Sequence, residues 1–482
     1  MDLDHEACYR ALSARDPRFD GRFFTAVKTT RIYCRPICPA RTPRRENTVF
    51  YRTAAAAQEA GFRPCLRCRP ESAPDLGAWR GSSNTVPRAL LLIEMGALDA
   101  ADVEALAGRL GVGERHLRRL FRQHLGASPL AVAQTRRVLL AQQLIHETSL
   151  PMTEIAMAAG FGSLRRFNET FLALFQRPPT ALRRSAGDDL PAGPPGEVAL
   201  LLRYRPPYDW EAMLKFLCAR AIAGVETVEG SVYRRTVDFD GLHGVISVQP
   251  GEGNALGVVV RFPKLSLLPK IVARLRRLFD LSADPGAIAL QLSKDPALAP
   301  LIATRPGLRV PGAWDGFEFA VRVVLGQQIA VPAAAALAGK LVARFGEKLK
   351  GADPILTHVF PKPEALAQED LSMLGVPRSR ARTLSAIAAA VIADPQIYSA
   401  GRSLEATVAR LRRLPGVGEW TAHYVAMRQL REPDTFPAAD IGLLRALADR
   451  NGRRPTAKQL SERAESWRPW RAYAAQHLWT AT

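Results

Sequence analysis

Cysteine is scarce in this 482-residue chain: there are six, and four of them fall between positions 34 and 68. Cysteines spread so unevenly exclude a disulfide scaffold and point to a metal site in one small region. Long apolar runs are also missing. None reaches the roughly 20 residues that a membrane-crossing helix needs, so no membrane partner is expected. The first residues, Met-Asp-Leu-Asp-His-Glu, are acidic and lack an apolar core, so no signal peptide is expected and the compartment implied is a bacterial-type cytoplasm. Acidic residues are outnumbered: 46 Asp+Glu against 66 Lys+Arg leave a formal net charge of +20. Such an excess implies a polyanionic partner. Between Arg109 and Arg184 there is no Lys and no Asp, but there are twelve Arg and four Glu.

A chain this long exceeds one hydrophobic core and divides into about three or four domains. Residues 185–197 are small and rich in Pro and Gly, the clearest linker; a weaker boundary lies near 71–86. The resulting blocks are 1–75, loop-rich with short strands; 86–184, helical; 198–312, with strand-like alternation at Val232–Phe239, Gly244–Val248 and Leu256–Phe262 between helical stretches; and 313–482, almost all helical, with apolar spacing at Val321, Val324, Leu325 and Ile329. The second block repeats itself. Phe121–Pro129 recurs fifty residues on as Phe171–Pro179, and each copy comes after a helix, a turn at Gly111 or Gly160, and a second helix. That is a duplicated helix-turn-helix. Arg115, Arg118, Arg119 and Arg122 fall on its first recognition helix, and Arg165 and Arg166 open the second. Such residues hold phosphates and read guanine edges.

Cys34-x3-Cys38 and Cys65-x2-Cys68 are two pairs 26 residues apart, a spacing that closes a tetrahedral thiolate shell around one zinc ion. The quartet is either a structural knuckle in a block too small for its own core, or a site in which one thiolate is also a nucleophile. Eight arginines surround it in sequence: Arg31, Arg35, Arg41, Arg44, Arg45, Arg63, Arg67 and Arg69. Cys8 and Cys218 lie outside the pattern and read as ordinary small residues.

The run Tyr33-Cys-Arg-Pro-Ile-Cys-Pro-Ala-Arg41, then Arg45-Glu-Asn47 and Gly61-Phe-Arg-Pro-Cys-Leu-Arg-Cys68, resembles the N-terminal domain of the Ada methylation-response regulators. The stretch Ala159–Phe171, closing at Pro178 and Pro179, is similar to the AraC-type helix-turn-helix that comes after this domain in those regulators. The resemblance implies that Cys34 accepts a methyl group, once and irreversibly, from a DNA methylphosphotriester, with Cys38, Cys65 and Cys68 as fellow zinc ligands. Zinc with four thiolates carries a formal charge of −2; methylating one sulfur leaves −1, so repulsion of DNA weakens. Promoter DNA and RNA polymerase are the partners such a regulator implies. No segment resembles the Pro-Cys-His-Arg site of O6-alkylguanine transferases.

In the last block, Leu414-Pro-Gly-Val-Gly-Glu-Trp-Thr-Ala422 reads as a sharp turn between two helices, with Asp440 eighteen residues on. Gly416 and Gly418 suit backbone angles closed to other residues, and amides at such a helix start hold a phosphate. This pattern resembles the helix-hairpin-helix DNA glycosylases, and more narrowly the AlkA-type 3-methyladenine DNA glycosylase II, from about residue 198 onward. Supporting runs are Pro206–Trp210, Ala219–Thr227, Arg305–Gly312, Leu325–Ile329 and Trp467–Tyr473. The resemblance implies hydrolysis of the N-glycosidic bond of alkylated bases in double-stranded DNA. Asp440 would stabilise the oxocarbenium-like sugar, and Trp420, Tyr424, Trp479 and Phe216 would line a pocket for a cationic base; each ring has ordinary core packing as its alternative. Trp420 stands where lyase relatives carry a Schiff-base Lys, which implies a monofunctional enzyme. The chain departs from the pattern at Ala439, often an Asp; at His423, often an Asn; and at Gln328, where an apolar residue wedges into DNA.

The fold expected is therefore multidomain: a small zinc-bound α+β domain, an all-α double helix-turn-helix, an α+β AlkA N-terminal-like domain and an all-α helix-hairpin-helix domain. Two other readings remain open: a regulator whose second half only binds DNA, and a repair enzyme whose first half only tethers it.

Overall fold

The structure, a computed structural model, describes residues 3–74, 85–99, 101–184, 197–351, 353–398, 403–449 and 451–481. The expected linker lies outside them except for Glu197, as does most of the 71–86 boundary. The chain forms two compact units, residues 1–204 with 264–273, and residues 205–263 with 274–482.

The first unit begins with α1 (His5–Ser13), capped by Asp4, whose carboxylate accepts from the Glu6 amide. Next in the chain is a small sheet of β1 (Phe24–Val27), β2 (Ile32–Cys34), β3 (Thr48–Tyr51) and, after α2 (Ala54–Glu59), β4 (Arg63–Pro64). Its order is β3-β1-β2-β4, with β4 parallel to β2 and the other pairs antiparallel. Ala54–Ala57 of α2 are all buried. Small side chains on every side let that helix lie close to the sheet on one flank and to a long helix on the other, so the block shares a core with the helical repeat.

The helices of that stretch are α3 (Thr85–Glu94), α4 (Val103–Leu110), α5 (Glu114–Leu125), α6 (Pro129–Glu147), α7 (Met152–Ala158), α8 (Leu164–Phe175) and α9 (Pro179–Arg184). The repeat is visible in three dimensions. Gly111 and Gly160 turn with φ of 68° and 84° after α4 and α7, and Phe121 and Phe171 are both fully buried at matching points of α5 and α8. β5 (Glu197–Arg203) closes this stretch.

The second unit contains α10 (Trp210–Cys218) and the antiparallel run β6 (Glu226–Glu229), β7 (Val232–Phe239), β8 (Leu242–Gly251), β9 (Ala255–Arg261). The three strands expected from alternation are present. β6 was not legible, because Glu-Thr-Val-Glu carries one apolar residue in four. Next along the chain come α11 (Leu268–Leu278), which belongs to this unit from Arg274 on, α12 (Pro285–Leu292) and α13 (Ala299–Thr304). The last part is helical: α14 (Gly316–Leu325), α15 (Val331–Phe345), α16 (Arg378–Ala393), α17 (Leu404–Leu411), α18 (Glu419–Arg428), α19 (Ile441–Ala446), α20 (Ala457–Ala464) and α21 (Arg471–Ala481).

Val321, Val324 and Leu325 are fully buried on α14, but the helix ends at Leu325 and does not reach Ile329. Gly326-Gln327-Gln328 forms a turn in which Gln328 takes φ of +60°, so Ile329 leaves the helical stripe and is only half-buried. Sheet and helices of this unit are joined by buried ions. Glu226 accepts from the Tyr233 hydroxyl and from Arg322, and Glu318 accepts from Arg235 and Arg322. Among the described residues no helix is long and apolar enough to cross a membrane.

Candidate functional site

The sheet of the first block ends on its sulfur cluster. Cys34 is the last residue of β2, and the amide of Cys65, one residue beyond β4, donates to the Tyr33 carbonyl at 3.0 Å. Pairing of two strands thus brings the two cysteine pairs together. The ligand sulfurs of Cys34, Cys38, Cys65 and Cys68 all lie within 4.8 Å of one another. Zinc–thiolate bonds of about 2.3 Å put tetrahedral sulfurs just under 4 Å apart, so the donor set fits zinc. The Arg35 amide donates to the Cys68 sulfur at 3.3 Å. Cys38, Cys65 and Cys68 are buried, whereas Cys34 is partly open to solvent.

The surrounding arginines divide into two kinds. Arg35 is held by Asp20, Ser72 and the Cys68 carbonyl, Arg69 bridges Glu71 and Glu147, and Arg45 pairs with Glu6. These build the block. Arg31, Arg41, Arg44 and Arg67 are exposed. In the repeat, α5 buries Leu117, Leu120, Phe121 and Leu125 and exposes Arg115, Arg118, Arg119 and Arg122. Arg118 pairs with Glu114, and Arg165 with Glu169, each one turn along its own helix. Exposed pairs of this kind stabilise by only about 0.3–0.5 kcal/mol, so neither arginine is firmly tied down. Arg119 contacts His116, and Arg166 is exposed at the start of α8.

In the second unit the glycine-rich turn lies between α17 and α18. Gly416 has φ of +74°, and a Cβ there would lie 2.2 Å from the Thr383 hydroxyl of α16. Both conformation and packing require glycine. Gly418 differs from expectation: its φ of −79° is ordinary, and a Cβ would meet nothing within 4 Å. Gln327 donates to the Gly416 carbonyl and to the Thr421 hydroxyl, so the turn after α14 is fastened to the hairpin, and the adjacent Gln328 is exposed.

Asp440 is the N-cap of α19, accepting from the Leu443 amide at 3.0 Å. The indole N–H of Trp420 donates to its Oδ2 at 2.7 Å and that of Trp479 to its Oδ1 at 2.8 Å. Each oxygen is thereby fixed by a rigid donor, a pre-set carboxylate. Gly442, which no sequence pattern singles out, allows this: a Cβ there would lie 3.0 Å from Asp440 Oδ1 and 3.2 Å from the Trp479 ring. Trp420 and Tyr424, one turn apart on α18, stack at 5.0 Å, and Trp479 meets Tyr424 edge-on at 5.9 Å. Phe216 joins this cage through Arg428, another residue not anticipated, whose guanidinium lies over Phe216, Tyr424 and Trp479. The i, i+4, i+8 spacing of Trp420, Tyr424 and Arg428 was its available signal. His423 bonds the Thr435 hydroxyl at 2.8 Å, and burial lowers its pKa, which favours the neutral ring.

Comparison with known proteins finds four family matches along the chain. Residues 7–71 match the metal binding domain of Ada, 106–185 a helix-turn-helix domain, 199–315 the AlkA N-terminal domain, and 321–471 the HhH-GPD superfamily of base excision DNA repair proteins. The chain is 43% identical over all 482 residues to a probable bifunctional transcriptional activator/DNA repair enzyme AlkA of Mycobacterium tuberculosis, covering 97% of that protein. Over 282 residues, 58% of this chain, it is 35% identical to the DNA-3-methyladenine glycosylase 2 of Escherichia coli, covering 95% of it. In fold, 58% of the chain superposes on 97% of a 3-methyladenine DNA-glycosylase from Archaeoglobus fulgidus, with a TM-score of 0.52 and 24% identity.

Proposed function

The chain belongs to the family of bifunctional transcriptional activator/DNA repair AlkA proteins, and on that premise we propose how its residues serve both halves of the role. The second unit hydrolyses the N-glycosidic bond of 3-methyladenine-type bases in double-stranded DNA. Hairpin amides at Gly416–Gly418 grip a phosphate, and Gln328 enters the duplex beside the extruded nucleotide. Tyr424, Trp420, Trp479 and Phe216 receive the base. Asp440 faces the sugar, where positive charge develops as the bond to the base breaks. The observation that carries this reading is the three-donor hold on Asp440, by Trp420, Trp479 and the Leu443 amide. Trp420 in place of a lysine fits simple hydrolysis with no imine step.

In the first unit the Cys34 sulfur attacks the methyl carbon of a methylphosphotriester. A sulfur–carbon bond forms, the carbon–oxygen bond breaks, and the phosphodiester leaves with the electron pair. Zinc supplies thiolate character to the cysteines that hold it. Partial exposure singles out Cys34, since its three neighbours are buried. The mark then makes the zinc site less negative, while Arg118, Arg119, Arg165 and Arg166 hold promoter DNA, with RNA polymerase as the partner that activation requires.

Two measurements test these roles. Asp440→Asn keeps the N-cap but offers an N–H to one indole donor; base release from methylated DNA should fall by at least about 100-fold while DNA binding persists, and unchanged release would refute the assignment. Incubation with methylphosphotriester DNA should add one methyl mass to the peptide carrying Cys34, and none to a Cys34→Ser variant. Methylation of another cysteine would move the acceptor role away from Cys34, and methylation of none, with zinc present, would leave the quartet a structural knuckle.

A further inference from the structure

Other buried arginines in the second unit have counter-charges or several carbonyls. Arg235 and Arg322 share Glu226 and Glu318, Arg431 pairs with Asp280, and Arg309 donates to the carbonyls of Asp280, Ala283, Arg205 and Pro207. Arg428 has neither. It is 2% exposed, and no carboxylate pairs with it among the described residues. One Nη donates to the Pro311 carbonyl at 3.0 Å, and its Nε has no acceptor. Three ring faces surround it, Phe216 at 4.7 Å, Tyr424 at 5.2 Å and Trp479 at 5.6 Å; the Tyr424 side chain also offers it a hydrogen bond, and the nearby charges Arg220 and Arg431 are of like sign. A buried, unpaired cation is costly. The carbonyl end of α18 and three ring quadrupoles offset part of that cost. They do not explain why a charge stands behind a cage that is to receive a cationic base.

The direction of charge flow explains it. When the bond from sugar to base breaks, its electron pair goes to the base nitrogen and positive charge appears on the sugar; water then adds to the sugar carbon and releases a proton. A base that starts cationic leaves neutral, and one that starts neutral leaves as an anion. In both cases the base side becomes more negative by one charge. Asp440, at the Trp420 end of the α18 stripe, favours the positive sugar. Arg428, two turns further along the same stripe, favours the more negative base.

We propose that Arg428 is a specificity-determining residue, a fixed charge behind the aromatic cage that lets the site release neutral purine lesions as well as cationic ones. The inference rests on the proposed glycosylase reading. A neutral lesion has a poor leaving group and depends on this charge most. A cationic lesion leaves readily, loses some ground-state affinity to the same charge, and depends on it least.

The test compares single-turnover base release from duplexes containing hypoxanthine, neutral, and 7-methylguanine, cationic. Arg428→Met keeps a long apolar stem against the rings. It should lower the hypoxanthine rate by at least about tenfold relative to the 7-methylguanine rate, and Arg428→Lys should restore the ratio. A folded Arg428→Met protein with an unchanged ratio, or a wild-type protein that releases 7-methylguanine but no hypoxanthine, overturns the role of Arg428, whereas a wild-type protein that releases neither of these bases nor 3-methyladenine overturns the glycosylase reading itself. If Arg428→Met does not fold, wild-type inhibition decides. Free 7-methylguanine should inhibit at least as tightly as the permanently cationic 7,9-dimethylguaninium; a cation more than about tenfold tighter refutes the proposal.

Discussion

Two glycines two residues apart in the hairpin do different work. Gly416 is required by a left-handed φ and by the Thr383 hydroxyl 2.2 Å from where a Cβ would stand. Gly416→Ala is therefore expected to cost about 1–3 kcal/mol, seen as a lower melting temperature of the second unit. Gly418→Ala meets no protein atom and should leave stability within about 0.5 kcal/mol, yet place a methyl group where a phosphate approaches; it is expected to weaken binding to undamaged duplex DNA. The sequence marks both positions alike, because a glycine reads the same whether the backbone or a partner demands it. Asp440 was legible from its distance to the hairpin. The indole donors from Trp420 and Trp479 were not, since they come from residues 20 and 39 positions away.

At the scale of elements, α14 is fixed to the sheet by Glu226, Arg235, Glu318 and Arg322. Burial alone would raise the Glu318 pKa, but Arg235 and Arg322 outweigh it and hold the carboxyl down to about 2. Its contribution is thus present above the ordinary carboxylate range and is lost as the pH falls through about 2. Glu318→Gln leaves Arg235 and Arg322 undercompensated and should cost about 3–5 kcal/mol, measured by denaturant unfolding. Alternation made β7, β8 and β9 legible, but β6 carries part of this ionic cluster in place of an apolar face. The same helix shows why periodicity overreached to Ile329: the turn at Gly326–Gln328 is held by Gln327 on the hairpin and by Arg380 on the Gln327 carbonyl, contacts from distant segments.

For the whole molecule, two histidines mark an acid limit. Burial pushes His477 down to about 4, and burial, with the nearby Arg69 as the smaller cause, does the same for His146. The unfolded chain takes up these protons near pH 6.5, the folded chain only near pH 4, so stability is full above that window and falls as the pH drops through it. For buried His477 the loss is at most about 3 kcal/mol, and His477→Gln should flatten the pH dependence of second-unit unfolding. Chelation is expected to unfold the 1–75 block, whose core is small, with little change in the second unit's melting; circular dichroism of each unit would show it. By itself the sequence determined the metal donors, the arginine-bearing repeat, the hairpin and the acid beyond it, because each is a pattern of residue type at short spacing. Only tertiary structure decided which cysteine is open to solvent, which arginines hold the fold, and that a lone buried guanidinium stands behind the cage. Those depend on which distant segments exclude water from a group, and no local spacing encodes that.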